Sequence, residues 1–522
     1  RPIDSRGIIS QVIWRENHVG GPRFAVRLAE NRRQHERRRR GKDSEKRVVV
    51  MGAGSAGITI VKELQANPHL GLVPLGFVDD DRQKHGVQIF GVPVLGGRDR
   101  IPELAHRYHV DEVIIAMPAA PGKVVREIVE VCRQAGLQVR TVPGLSEILS
   151  GRVSVSQVRK VDVEDLLRRE PVHTDTLAAE QILRDCRVLV TGAGGSIGSE
   201  LCRQIARQAP SLLILMGHGE NSIFAISNEL QRLRPGLPIR RVIADVRDLD
   251  RLRQVFETYR PQTVFHAAAH KHVPLMEENM AEAITNNVEG TANLLQLSEL
   301  YGVGRFVLIS TDKAVSPSSV MGATKWLAER LVQRSAQRTG SPYVSVRFGN
   351  VLESRGSVVL LFREQIARGG PVTVTHPDVC RYFMTIPEAV QLVLQASALG
   401  QGGEVFVLDM GEPIRIADLA RDMIHLSGLE VGRDIEIVYT GLRPGEKLTE
   451  ELIGPDEGAI PTCHEKIFSL NGTGGWNSVD LETAVQELIA LARQGDERQI
   501  RAKLQELVPH YLPCELGPGD QI

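Results

Sequence analysis

Cysteine is sparse in this 522-residue chain, with six thiols at positions 132, 186, 202, 380, 463 and 514. None stands in CxxC or Cys/His ligand spacing, which excludes a disulfide framework and a zinc site and fits a reducing compartment. Charge of one sign is equally lacking, since 63 Lys and Arg face 64 Asp and Glu for a formal net charge of -1. That balance supplies no broad basic face, so no nucleic-acid partner is expected. Long apolar runs are missing as well, and none approaches the ~18 residues that a spanning helix needs. What is there, 42% hydrophobic and 24% charged residues, suffices at this length for two or three domains with full cores.

The first local feature is basic. Residues 1–46 hold thirteen Lys and Arg against six Asp and Glu, concentrated in "RRQHERRRRGK". A solvated tail and a juxtamembrane segment lying on anionic lipid both fit such a stretch.

Two strand–glycine–helix openings follow. "RVVVMGAGSAGITIVKELQ" places Gly52, Gly54 and Gly57 in G-x-G-x-x-G spacing after a β-rich run, and "CRVLVTGAGGSIGSELCRQIA" places Gly192, Gly195 and Gly198 behind Thr191. Glycine is needed where the chain turns sharply and a pyrophosphate approaches backbone N–H groups at a helix N-terminus. Two such openings, about a domain length apart, predict two Rossmann-like, doubly wound α/β domains. The boundaries read as a basic tail over 1–46, an accessory domain over 47–160, a polar connector over 161–182 and a catalytic domain with a smaller C-terminal substrate-binding part over 183–522. In the first domain "GLVPLGFVDDD" ends a second strand in Asp79, Asp80 and Asp81, an acidic end able to hold a ribose hydroxyl. A lone fingerprint is weak evidence, and the ligand of this domain stays open.

The second domain has richer context. "LLILMGHGENSIF" is a second strand, "RRVIADVRD" a third ending in Asp245 and Val246, and "TVFHAAAH" a fourth whose small Ala267, Ala268 and Ala269 let a cofactor approach. "RFVLISTDK" is a fifth strand that delivers Thr311, Asp312 and Lys313 at its C-terminal end, where ligands of open parallel sheets sit. The strand after Ile214 ends in Gly217, His218 and Glu220 without the usual acid for a ribose 2'-hydroxyl, so NAD and NADP both remain open. In "STDKAVSPSSVMGATK" Lys325 is preceded four residues earlier by Met321, where a tyrosine would serve as the base; a thioether cannot titrate. An adjacent Asp–Lys pair is by itself more often a surface ion pair. Its place at a strand end, ahead of a helix bearing Lys325, favours catalysis.

Six stretches, "TGAGGSIGSEL", "AAAHKHVPLME", "STDKAVSPSSVMGATK", "RFGNVLESRGSVV", "VTHPDVCRYFMTIPEAVQLV" and "TGLRPGEKLTEEL", resemble the extended short-chain dehydrogenase/reductase superfamily. Within it they are similar to the CapD-like polysaccharide-biosynthesis family of nucleotide-sugar 4,6-dehydratases, in the subgroup that bears Met where epimerases bear Tyr. The first α/β unit resembles the accessory domain of the long members, which carry transmembrane helices ahead of it. That resemblance implies association with the cytoplasmic face of the membrane through a preceding region, a homo-oligomer, a UDP-sugar substrate such as UDP-N-acetylglucosamine, and tightly bound NAD or NADP. One departure is Glu353, where the family pattern has glycine.

The reaction so implied oxidises C4, eliminates water across C5 and C6 and returns the hydride to C6. By resemblance Asp312 protonates the departing C6 hydroxyl, Lys313 accepts the C5 proton, Thr311 hydrogen-bonds near O4 and Lys325 orients the nicotinamide ribose. The 4-hydroxyl proton goes to Asp312 in turn or to water. Gly192, Gly195, Ser196, Ile197, Gly198, Asp245, Val246, Ala267, Ala268, Ala269 and Lys325 would hold the cofactor. Asn350 is assigned to the diphosphate and Arg443 and Glu446 to phosphate and uridine ribose; Lys271 and His272 lie just past the fourth strand, where the sugar would rest, and His272 reads equally as a packed helix-start histidine. Arg381 either meets a phosphate or caps its own strand. "AVQELIALARQ" and "IRAKLQELVPHYL" read as amphipathic helices for packing or oligomer contact. A UDP-sugar 4-epimerase and a noncatalytic nucleotide-binding scaffold are the alternatives.

Overall fold

A computed structural model describes residues 45–143, 156, 158–167, 176–471 and 481–513. The basic opening stretch up to residue 44, part of the connector and Cys514 lie outside the described residues. The chain divides into two compact units, Arg1–Val161 and Asp162–Ile522. Where the sequence reading put a connector over 161–182, Asp162 instead opens the second unit as the N-cap of a short helix, Val163–Leu166, in a reciprocal capping box with Asp165. A further helix, Thr176–Leu183, buries Ala179 and Leu183 in the core of that unit.

In the first unit, strands β1 (Lys46–Met51), β2 (Leu72–Val78), β3 (Glu112–Ile115), β4 (Gln138–Thr141) and β5 (Arg159–Lys160) form a sheet in the order β2-β1-β3-β4-β5, parallel except for β5. Helix α1 (Ser55–Ala66) follows the first glycine turn and packs Ile60, Val61 and Leu64 on Val48, Val50 and Phe77. A Cβ at Gly57 would lie 1.9 Å from the Gly52 carbonyl oxygen, which is why glycine stands there. Asp79, read as able to hold a ribose, is engaged by its own turn: its carboxylate accepts from Ala53 N at 2.8 Å, Asp81 N at 2.9 Å and Lys84 Nζ at 3.0 Å.

The second unit is built on a nine-stranded sheet: β6 (Arg187–Thr191), β7 (Leu212–Gly217), β8 (Ile239–Ile243), β9 (Thr263–His266), β10 (Arg305–Ile309), β11 (Tyr343–Arg347), β12 (Val405–Leu408), β13 (Gly458–Pro461) and β14 (Ile467–Asn471). Their order is β8-β7-β6-β9-β10-β11-β12-β14-β13. The first seven are parallel, and β14 and β13 add antiparallel. Central strands such as "RVLVT" and "RFVLI" are near-continuous apolar runs because both faces are covered. Leu189, Val264 and Phe306 point into one core, and Val190, Phe265 and Val307 into the other. The strand order reverses between β6 and β9, which opens a crevice at their C-terminal ends.

Helix α2 (Ser196–Arg207) follows the second glycine turn, and α3 (Val320–Thr339) is twenty residues long. The two amphipathic segments near the end of the chain form α4 (Leu481–Gln494) and α5 (Glu497–Leu507). They bury Val485, Leu488, Ile489, Ile500 and Leu504 in the same core as Leu327 and Leu331 of α3, so packing is their role here. A smaller lobe has its own core of Leu352, Phe362, Val374, Phe383, Leu419 and Ile424. It faces the crevice from the other side with the segments that hold Asn350, Thr375 and Arg381.

Candidate active site

Gly192 has φ +66, and a Cβ on it would come 2.7 Å from Ala268 N and 2.8 Å from Ala267 C. A Cβ on Gly198 would lie 2.1 Å from the Gly192 carbonyl oxygen. Both contacts need glycine and draw the turn tightly against the end of β9. Gly195 caps α2 with no side-chain bond, and among the described residues no side chain caps the first N–H groups of that helix, the groups that would meet an anion. In front of them lies a cavity of about 840 Å³, within the usual range for a bound organic molecule. Its wall includes Gly195, Ser196, Ile197, Gly198, Ala267 and Ala269.

Asp245, Val246, Gly192 and Ala268 are not among the residues that line that cavity. Asp245 is occupied by Arg247, at 2.7 Å, and that ion pair holds its carboxyl below the ordinary range. Val246 packs where a Cβ on Gly290 would come within 2.5 Å of its methyl.

Of the residues read as catalytic, Thr311, Lys313, Met321 and Lys325 line the cavity, while Asp312 is fully buried directly beneath. Thr311 Oγ1 donates to Asp312 Oδ1 at 2.8 Å, and Lys313 Nζ donates to the same oxygen at 3.0 Å. Asp312 Oδ2 has no hydrogen-bond partner among the described residues, and a Cβ on Gly349, a residue of the cavity wall, would lie 3.2 Å from it. The carboxylate therefore reaches the cavity through its two neighbours. Lys313 also approaches Asn350 Oδ1 at 3.4 Å and Glu450 Oε1 at 3.8 Å. Burial pushes its ammonium down, but Asp312 and Glu450 outweigh that and hold it above the ordinary lysine range.

Helix α3 delivers Met321 and Lys325 one turn apart. Ser319 caps it through Gly322 N at 3.1 Å, and glycine at 322 is required because a Cβ would sit 2.2 Å from the Lys313 carbonyl oxygen. Lys325 Nζ donates to Ile309 O at 2.7 Å, and burial pushes its pKa down to about 8. Met321 is buried at 2% exposure and fills space at the tyrosine position.

The substrate set converges as well: Lys271, His272, Asn350, Arg443 and Glu446 all line the cavity. Lys271 Nζ bonds Ser354 Oγ at 3.3 Å, and burial followed by the Lys313 charge lowers its pKa. The His272 ring lies where a Cβ on Gly356 would come within 2.6 Å of it. Glu446 accepts from Arg443 N at 3.2 Å, Thr375 Oγ1 at 3.0 Å and Arg381 Nη2 at 3.1 Å. Arg381, left between two readings above, thus spans the lobe and the site. Glu353 adopts φ +53, the conformation that glycine takes at no cost, and is tied down by Arg363 at 2.8 Å.

Sequence reading passed over three contributors. Asn287 holds the main chain of His270 at both ends (2.8 and 3.0 Å) and donates to Thr324 Oγ1 at 3.0 Å. His266, buried between Thr191 and Thr291, is pushed down to about 3 by burial and so stays neutral. Glu450 is the third, and "TEEL" gave no sign of it. The adjacent asparagines of "ITNNVEG", a poor fit to the interior of a helix, were the available signal for Asn287.

The parallel sheet, the glycine turn at its point of reversal and the threonine-to-lysine set beside it define an enzyme domain of the extended short-chain dehydrogenase/reductase class. The chain belongs to the family described as "Polysaccharide biosynthesis protein", which matches residues 188–472. Residues 23–143 match a second family, described as "CoA-binding domain". The chain is 48% identical over 426 residues, 81% of this chain and 71% of the other, to the capsular polysaccharide biosynthesis protein CapD of Staphylococcus aureus. A UDP-N-acetylglucosamine 4,6-dehydratase (inverting) of Campylobacter jejuni is 30% identical across 54% of this chain and 82% of its own. A UDP-glucose 4-epimerase of Rickettsia bellii is 33% identical across 52% and 79%. Among solved structures, Pen from Bacillus thuringiensis superposes with a TM-score of 0.51 at 33% identity, covering 57% of this chain and 90% of its own.

Proposed function

We propose that the second unit is a nucleotide-sugar 4,6-dehydratase acting on UDP-N-acetylglucosamine with NAD or NADP bound in the crevice. The observation that carries this reading is the pairing of an untitratable Met321 with Thr311 and Lys313 on the same cavity wall, backed by a buried Asp312. An enzyme that only oxidised and reduced C4 would need one base, whereas this site has proton carriers for an elimination as well.

The glycine turn, the N-terminus of α2 and Lys325 would hold a dinucleotide, which when bound would supply the hydride chemistry for oxidation at C4 and reduction at C6. The chain's own residues move the protons. Two leave the sugar, from the 4-hydroxyl and from C5, and two return, to the departing O6 and to C5. Thr311 passes the hydroxyl proton to Asp312, and the same hydroxyl passes it on to O6. Lys313 takes the C5 proton through its unprotonated fraction, which its neighbours Asp312 and Glu450 keep small at neutral pH, and gives it back, so each carrier ends as it began. Lys271 and Asn350 face the sugar and diphosphate, and Arg443 and Glu446 the uridine end.

Mass spectrometry of UDP-N-acetylglucosamine after incubation with the full chain and either cofactor tests the reading. A product lighter by one water is expected. An isomer of unchanged mass would instead support the epimerase reading, which the Rickettsia relative favours, and untouched substrate would support a scaffold.

A further inference from the structure

Behind the proposed proton carriers lies a second carboxylate with no part in the scheme above. Glu450 is 5% exposed. Its Oε1 stands 3.8 Å from Lys313 Nζ and 4.0 Å from Arg381 Nε, and among the described residues no ion pair of Glu450 is tighter. A carboxylate taken out of water recovers its lost hydration only through close, well-formed bonds, so this one is poorly compensated as a structural element. What it does at that distance is act through its field, which is little screened in a buried setting.

Every charged group around Lys313 matters to that field. Asp312 contacts it at 3.0 Å from the same strand end, and Glu450 approaches from the loop after the RPGEK element. Lys271 and Arg381 add positive charge from two further segments. Burial pushes the Glu450 carboxyl above its ordinary range and the charge of Asp312 adds to that, while Lys313, Arg381 and Lys447 draw it back toward the charged form. In the proposed reaction Asp312 becomes neutral when it takes the hydroxyl proton, just before Lys313 must take the one from C5. At that moment the closest negative charge to Lys313 disappears while burial and two cations remain. A carbon acid beside a ketone calls for a strong base, and Lys313 alone would then be a weakened one.

We propose that Glu450 is a positioning residue whose buried negative charge keeps Lys313 basic while Asp312 is neutral. The inference rests on the reading of Lys313 as the C5 base, but its test separates the two. Lys313 in the full-length protein is labelled with acetic anhydride across pH, and the labelled peptide is quantified by mass spectrometry. In Glu450→Gln the labelling midpoint falls by about one pH unit or more, as loss of an opposite charge within this distance implies. In Glu450→Asp, which keeps the charge, it falls by less than half as much. The acidic limb of the kcat/KM profile of the Gln variant moves down with the midpoint, and its plateau drops at least about fivefold, following the weaker base.

A folded Glu450→Gln protein with an unmoved labelling midpoint overturns the proposal, as does a shift in Glu450→Asp equal to that in Glu450→Gln, since lost packing would then explain both. A moved midpoint with an unmoved rate limb upholds the coupling and refutes Lys313 as the base. Should the Gln variant fail to fold, Glu450→Ala, which also removes the charge, carries the test in its place, and a midpoint identical to the unaltered protein's overturns the idea.

Discussion

Thr311 stands between Asp312 and the cavity: its hydroxyl donates to the buried Oδ1 at 2.8 Å while its own side lines the wall that Asp312 does not reach. An acid in that position works only through its neighbour. Thr311→Val keeps the shape and removes the hydroxyl, and kcat for water elimination is expected to fall by about 10²-fold or more with KM within a few-fold. Thr311→Ser should recover most of it. Equal rates in the Val variant would mean that Asp312 swings out to the substrate unaided.

Lys313→Ala removes the C5 base, and dehydration is expected to drop ~10²–10⁴-fold while nucleotide binding, measured by calorimetry, stays near normal. Unimpaired turnover in that variant would remove Lys313 from the mechanism.

Met321 fills the tyrosine position without titrating. Met321→Leu preserves volume at a buried site and is expected to leave turnover within about threefold and stability within about 1.5 kcal/mol. A loss of a hundredfold in a stable protein would show that the thioether itself takes part.

Lys325 is held by the Ile309 carbonyl at 2.7 Å and pushed down to about 8 by burial. Unfolding releases it to the ordinary lysine value near 10.4. Between those two values the unfolded chain binds more protons than the folded one, so the penalty that this group imposes at neutral pH is relieved as pH rises. Relative to Lys325→Met, the unaltered protein is expected to gain on the order of 2–3 kcal/mol between pH 7 and pH 10.5 in urea titrations. An identical difference at both ends of that window would show that Lys325 is not depressed.

Glu353 occupies the left-handed region at φ +53 and pairs with an exposed Arg363. Replacement by Gly removes the strain but also the ion pair and adds freedom to the unfolded chain, so stability should change by no more than about 0.5 kcal/mol. Glu353→Val, β-branched at positive φ, should cost about 1–2 kcal/mol. Chemical denaturation of the two variants checks this, and equal stabilities would contradict the assigned backbone.

The glycine spacings, the apolar runs of β6, β9 and β10 and the Thr-Asp-Lys to Lys325 interval determined the fold class, both α/β units and the face on which the site lies. Each of those signals is local, because backbone sterics at Gly192 and Gly198 and the alternation of buried strands are written within a few residues. The amphipathic pattern of α4 and α5 showed that they would bury one face, but not against what; the tertiary structure set α4 on the helical segment Ile284–Glu289 and α5 on α4. Only the folded chain decided that Asp312 lies behind Thr311, that Asp245 is taken up by Arg247 and Asp79 by its own turn, and that Glu450 comes within 3.8 Å of Lys313. Side-chain direction at a strand end has no period to read, and a charge brought from a distant loop leaves no trace in the stretch it acts on. Desolvation, which sets what Lys313 and Lys325 can do, exists only once the surrounding segments have closed over them.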